Sequence, residues 1–222
     1  MTAAVQNQLP LRFPGCLART ARSLMLAVLS MIACSSRAVA GDGKGLEPAD
    51  LAMCRGCHGI AHYRTAFPEV YSVPKLGGQQ AAYVVKALRD YKQGLRSHAT
   101  MRSIAVLQTD DQVAAIAAYY ADKDTGSGLP ASAFGANPGA GPPKSAAACE
   151  ACHGAGGNKP VSPETPRLAA QEYDYLVQAL TQYRKGSRQN PIMDAMAKPL
   201  DDAQIRELSR YFSDQRGLTE KY

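Results

Sequence analysis

The residues able to do chemistry are few, and they occur twice. Cys54-Arg-Gly-Cys57-His58 and Cys149-Glu-Ala-Cys152-His153 share one Cys-x-x-Cys-His pattern. That pattern is the attachment motif of a c-type haem. Both thiols add to the haem vinyl groups as thioethers, and one helical turn sets their separation. The adjacent His is then carried to the iron as an axial ligand. Zinc uses the same residue types, but each copy offers only Cys, Cys and His, with no second pair in its repeat. A thioredoxin-like dithiol would need strands around the motif. Disulfide pairing is open to an exported chain, yet the spacing points to haem, one covalent group per motif.

An iron held by His needs a sixth ligand or an open site. Seven methionines are present, of which Met1, Met25 and Met31 fall near the start of the chain. Met101 and Met193 occupy the same place in both copies, each after a glycine-terminated helix and before a capped one. The expectation is a loop methionine that swings over the far haem face. Met53 and Met196 suit core filling better. His98 competes as a ligand, but its counterpart is Asn190, so a surface or local hydrogen-bonding role fits it, as it does His62. His/Met ligation raises the potential and fills both axial positions. The reading is an electron carrier rather than an enzyme.

The elements that must position these groups repeat with them. Residues 76–101 align with 168–193 without a gap, at an offset of 92, and ten of the 26 pairs are identical, including Gln79/Gln171, Tyr83/Tyr175 and Arg96/Arg188. The Cys motifs are offset by 95, so the first copy has three extra residues. Tyr83, Ala87, Leu88 and Tyr91 share a helical face that Gly94 ends, and Tyr175, Ala179, Leu180, Tyr183 and Gly186 repeat it. Thr109 to Gln112 forms a capping box before the stripe Val113, Ile116, Ala117 and Tyr120. Asp201 with Gln204 caps the stripe Ile205, Leu208 and Phe212. No stretch alternates as a strand should. The fold expected is all-α: two tandem small helical domains, each around one haem.

Composition sets the frame. The chain has 222 residues, no Trp, four Phe and a net charge of +6. Two cores with so few large aromatics need another filler, which haem supplies; without it the chain should fold poorly. Residues 1–40 hold four Arg and no acid, and removing them leaves 21 bases and 19 acids. Neither half is then a basic patch, which removes the main support for nucleic-acid binding. Arg12, Arg19 and Arg22 precede the apolar run 23–33 and the small-residue site Ala38-Val39-Ala40, the three parts of a secretory signal. The run is short for a membrane anchor. Met31-Ile32-Ala33-Cys34 offers an alternative, lipoprotein processing at Cys34. The organisation expected is a signal over 1–40, a first domain over 41–125, a Gly/Pro-rich linker over 126–143 and a second domain over 144–222.

With the motif Val73-Pro-Lys-Leu-Gly-Gly-Gln79, its partner Thr165-Pro-Arg-Leu-Ala-Ala-Gln171 and the helix-Gly-x-Arg-Met segment after each, the sequence resembles the dihaem cytochrome c4 family over residues 50–122 and 144–213. The resemblance implies a periplasmic protein with two close haems that exchange electrons. It implies a quinol-oxidising complex or dehydrogenase as donor and a terminal oxidase as acceptor. Membrane contact would come only through those partners or a lipid on Cys34. His58 and His153 would be proximal ligands, and Met101 and Met193 distal ones. Pro74 and Pro166 match prolines whose carbonyl holds the proximal imidazole. Arg96 and Arg188 are either propionate ligands or solvated surface side chains. Two departures concern domain packing and partner: a short helix before each Cys motif, and the insertion 63–73. The competing functions are a haem subunit of a dehydrogenase complex and a dihaem peroxidase, the latter needing one iron without its Met.

Overall fold

Each Cys motif ends a helix. In the computed structural model, which describes residues 48–65, 70–121 and 141–221, α1 spans Pro48–His58 and its repeat, α5, spans Ala146–His153. The described residues all fall within one compact unit, Gly45–Tyr222. The export signal, Cys34 and residues 126–140 of the expected linker lie outside the described residues.

The rest of each copy follows one plan. In the first, α2 (Ala81–Gln93) is followed by α3 (Ala99–Val106) and α4 (Asp110–Ala121). In the second, α6 (Tyr173–Lys185) is followed by α7 (Pro191–Ala197) and α8 (Asp202–Ser213). Gly94 and Gly186 end α2 and α6 in the left-handed region, at φ 77° and 76°, where a side chain would be strained. Both capping boxes form: Thr109 with Gln112 and Asp201 with Gln204. Each copy has its own core. The first gathers Leu51, Val84, Leu88, Val113, Ile116, Ala117 and Tyr120. The second gathers Ala146, Leu176, Leu208 and Phe212.

One element departs from the all-helical expectation. The insertion carries a minimal antiparallel pair, β1 (Arg64–Thr65) with β2 (Tyr71–Ser72). Two residues per strand are too few to show alternation in a sequence. Its role is tertiary. Ser72 donates from its backbone N and its Oγ to Asp174 at 3.0 and 3.1 Å, and Arg64 pairs with the same carboxylate at 3.1 Å. The insertion thus ties the first copy to α6 of the second.

The two copies grip each other through equivalent residues. Gln79 accepts from the N–H of Arg167 and donates to its carbonyl, at 2.9 and 3.1 Å. Gln171 does the same with Lys75, at 2.8 and 3.0 Å. Lys75 and Arg167 are themselves related by the offset of 92, so the repeat relation extends across the interface. Both glutamines are buried, where an unmade amide bond is costly. Finally the C-terminal strap returns to the first copy. Gly77 and Thr219 exchange both backbone hydrogen bonds, at 2.9 and 3.0 Å. Lys221 is buried, its Nζ donating to the Tyr119 carbonyl and lying 4.4 Å from the Tyr119 ring centroid.

Candidate functional site

The last turn of α1 brings Cys54, Cys57 and His58 to one wall of an apolar cavity of about 110 Å³, and Met101 stands among its other lining residues. The last turn of α5 does the same with Cys149, Cys152 and His153 in a cavity of about 230 Å³ that Met193 also lines. All eight residues singled out by type and spacing are therefore gathered, four to a cavity. Cys54, Cys57, Cys149 and Cys152 form no disulfide with one another, and burial pushes the Cys54 and Cys149 thiols up. Among the described residues no three His, Cys, Asp or Glu side chains converge as a metal cage, so zinc gains no support.

The two imidazoles are fixed alike. His58 Nδ1 lies 2.8 Å from the Pro74 carbonyl, and His153 Nδ1 lies 2.7 Å from the Pro166 carbonyl. A carbonyl can only accept, so Nδ1 carries the hydrogen and Nε2 keeps its lone pair. Burial holds both imidazoles below the ordinary His range, against the opposing pull of each carbonyl. A neutral imidazole with an oriented free nitrogen is a metal ligand in waiting.

The methionines sit on helices rather than loops. Met101 lies in the first turn of α3 and Met193 in the first turn of α7. The first turn has unpaired N–H groups that need acceptors. His98 Nδ1 accepts from Met101 N at 3.2 Å, and Asn190 Oδ1 accepts from Met193 N at 3.1 Å. His98 is thus the cap of the Met helix, matching its local hydrogen-bonding reading and explaining why Asn replaces it in the second copy. The short, capped helix was not legible because eight residues show barely two turns of periodicity. Met53 and Met196 are not core residues. They are 51% and 37% exposed, at positions that also line the two cavities.

The solvated alternative for Arg96 and Arg188 does not hold. They are 6% and 5% exposed, paired in an isolated antiparallel bridge between the copies. Each guanidinium packs on tyrosine faces: Arg96 on Tyr83 and Tyr91, Arg188 on Tyr183. Arg188 also donates to the Tyr175 and Tyr83 hydroxyls, at 3.4 and 3.2 Å. Both arginines, with Arg167, line the second cavity. The Nε of Arg188 and of Arg167 has no hydrogen-bond partner among the described residues. Buried guanidinium donors without acceptors fit a ligand that brings carboxylates. An apolar ring with two propionates meets that requirement, and the flanking Cys, His and Met meet its attachment and axial needs.

Sequence reasoning did not show that four residues serve both sites. Pro74, Leu76, Tyr83 and Tyr175 line both cavities, so the two sites share a wall. The identity of Tyr83 with Tyr175 across the repeat was the available signal. The cavities also differ. No Lys, Arg, Asp or Glu lines the first among the described residues. The second is lined by Lys75, Lys86, Arg96, Arg167 and Arg188 against Asp90 and Glu164.

Comparison with known proteins agrees with this arrangement. The cytochrome c family model matches residues 142–215, the second copy. Cytochrome c4 of Thiocapsa roseopersicina is 36% identical over 188 residues, covering 77% of this chain and 91% of that protein. A thiosulfate dehydrogenase electron acceptor from Stutzerimonas stutzeri is 31% identical, covering 85% and 93%. The solved structure of cytochrome c4 from Acidithiobacillus ferrooxidans superposes with a TM-score of 0.57 at 28% identity, covering 73% of this chain and 98% of that one. A duplicated helical fold with two Cys-x-x-Cys-His cavities and relatives of this extent lead to one assignment: the chain belongs to the dihaem cytochrome c4 family.

Proposed function

We propose that each cavity holds one covalent haem c, and that the protein carries single electrons in the periplasm. Cys54 and Cys57 would attach the first haem, and His58 and Met101 would hold its iron. Cys149 and Cys152 would attach the second, with His153 and Met193. The observation that carries the reading is the matched construction of the two cavities, with Cys-x-x-Cys-His and the capped Met helix both on the wall of each. A haem held there supplies exchange of one electron between two iron oxidation states. The chain's own residues do the rest. Pro74 and Pro166 hold each imidazole in one tautomer. His98 and Asn190 fix the turn that carries each methionine. Arg96, Arg167 and Arg188, which line the second cavity, would hold the propionates of the haem bound there. A His and a Met on each iron would leave no position for peroxide, which favours a carrier over a peroxidase.

Export by the signal over 1–40 leaves a mature chain starting at Gly41, or a lipidated start at Cys34; intact mass separates the two. The cores and the linker over 126–143 then form the two-domain carrier. A quinol-oxidising complex or dehydrogenase is the donor and a terminal oxidase the acceptor. Nucleic acid is no partner. A second reading rests on the likeness to a thiosulfate dehydrogenase electron acceptor, in which the chain serves one dehydrogenase. Co-migration with a large enzyme on sizing a native extract would favour it.

An optical redox titration with a haem-to-chain ratio tests the central claim. Two haems per chain and the weak far-red band of Met-ligated ferric iron are expected. A high-spin component would mean an open iron and return the peroxidase to first place. Absence of covalent haem would overturn the reading.

A further inference from the structure

The two copies differ at one buried pair. Where the first has Lys86 and Asp90, the repeat offset of 92 places Gln178 and Gln182 in the second. Lys86 and Asp90 lie one turn apart on α2. Lys86 Nζ donates to both carboxylate oxygens, at 2.9 and 2.8 Å. Asp90 also stands 3.4 Å from Arg96 Nε. Its side chain is only 7% exposed, against 29% for Lys86. Arg188, the repeat partner of Arg96, is held by tyrosine hydroxyls instead. Both members of the pair line the second cavity and neither lines the first. The first copy therefore supplies a buried carboxylate to the wall of its neighbour's centre.

A fixed charge changes a reduction potential because oxidised iron carries one more positive charge than reduced iron. A nearby carboxylate favours the oxidised form and lowers the potential; a nearby ammonium raises it. Burial leaves the Asp90 charge poorly screened, whereas salt and water weaken the Lys86 charge. The second cavity otherwise faces an excess of cations.

We infer that Asp90, opposed by Lys86, sets the potential of the second centre relative to the first, and so sets the driving force for electron transfer between them. The step is a one-electron exchange in which one centre is oxidised as the other is reduced, and no bond forms or breaks. Asp90 is a positioning residue for charge. The inference rests on the two-haem reading above.

The test is a spectroelectrochemical titration of the full holoprotein and four variants. The second centre is identified by Met193→His, which lowers its potential by exchanging a thioether for a nitrogen ligand. Asp90→Gln, which installs the second copy's own residue, should favour reduction of that centre about tenfold, or about 59 mV for a one-electron couple. The first centre should change by no more than about twofold. Lys86→Gln should shift the second centre the opposite way, by less. The double variant should fall between the parent and Asp90→Gln. Equal shifts at both centres, no shift in Asp90→Gln, or the same sign in Lys86→Gln would overturn the inference while leaving the haem assignment intact. Fewer than two haems in the unsubstituted protein would remove the assignment and this inference together.

Discussion

Tyr83 stands where the two cavities meet, and its ionisation changes the charge felt by both. Burial alone would push its phenol up. The guanidiniums of Arg96 and Arg188 outweigh burial and bring it down to about 8. Tyr175, its repeat partner, goes the other way, because burial dominates there despite Arg188. A phenolate on the shared wall favours oxidised iron at both centres. Both midpoint potentials should therefore fall as pH rises through about 8, and Tyr83→Phe should flatten that dependence. Potentiometry between about pH 6 and 10, a range spanning the perturbed and ordinary Tyr values, reads the effect. Unchanged slopes in Tyr83→Phe would assign the titration elsewhere. This effect differs from that of Asp90, which acts on one centre.

At the scale of elements, the methionine helices depend on their caps. Asn190 Oδ1 accepts from both Ile192 N and Met193 N, each at 3.1 Å. Asn190→Ala removes both acceptors and should cost about 1 kcal/mol. For a chain of this size that is a drop of about 2–4 °C in Tm. The far-red band should weaken at one centre only, since His98 still caps the other helix. An unaltered band with a lowered Tm would show that the cap stabilises without positioning the ligand. The long elements were legible in advance. Gly94 and Gly186, the stripes from Val113 and Ile205, and both capping boxes all lie within single helices, where local periodicity and end signals suffice. The eight core site residues were legible for a different reason: a covalent motif and a twofold repeat carry more information than any one propensity. What stayed hidden was tertiary. Arg96 and Arg188 stayed open between a propionate role and a solvated one because charge usually means exposure; only the pairing of the copies buries them. The β1–β2 pair is tied down by Asp174, which lies 102 residues from Ser72.

Across the whole molecule, the proposed haems would complete the core as well as doing the chemistry. The two cavities measure about 230 and 110 Å³. Both are lined mainly by apolar side chains, which would face water without a haem. A variant with all four cysteines replaced by Ala, and so unable to retain haem covalently, should lose its cooperative thermal transition in circular dichroism. Retention of a sharp transition would show that the helices support one another without the cofactor.

The C-terminal strap supplies a second, separable contribution to the packing of the copies. It meets the first copy at Gly77, where a Cβ would lie 2.6 Å from Thr219 Oγ1 and 2.8 Å from its carbonyl oxygen. Such approaches leave no room for a methyl group, and the second contact is with backbone that cannot simply rotate away. Gly77→Ala should therefore displace the strap at a cost of about 1–3 kcal/mol. The paired amides of Gly77 and Thr219 should lose hydrogen-exchange protection together, because each donates to the other's carbonyl. The amides of Lys75 and Arg167, held by Gln171 and Gln79, should keep theirs, since the reciprocal glutamine clasp does not pass through the strap. Loss of protection at all four would instead make the strap and the clasp one cooperative unit, and the packing of the two centres would then depend on the last residues of the chain.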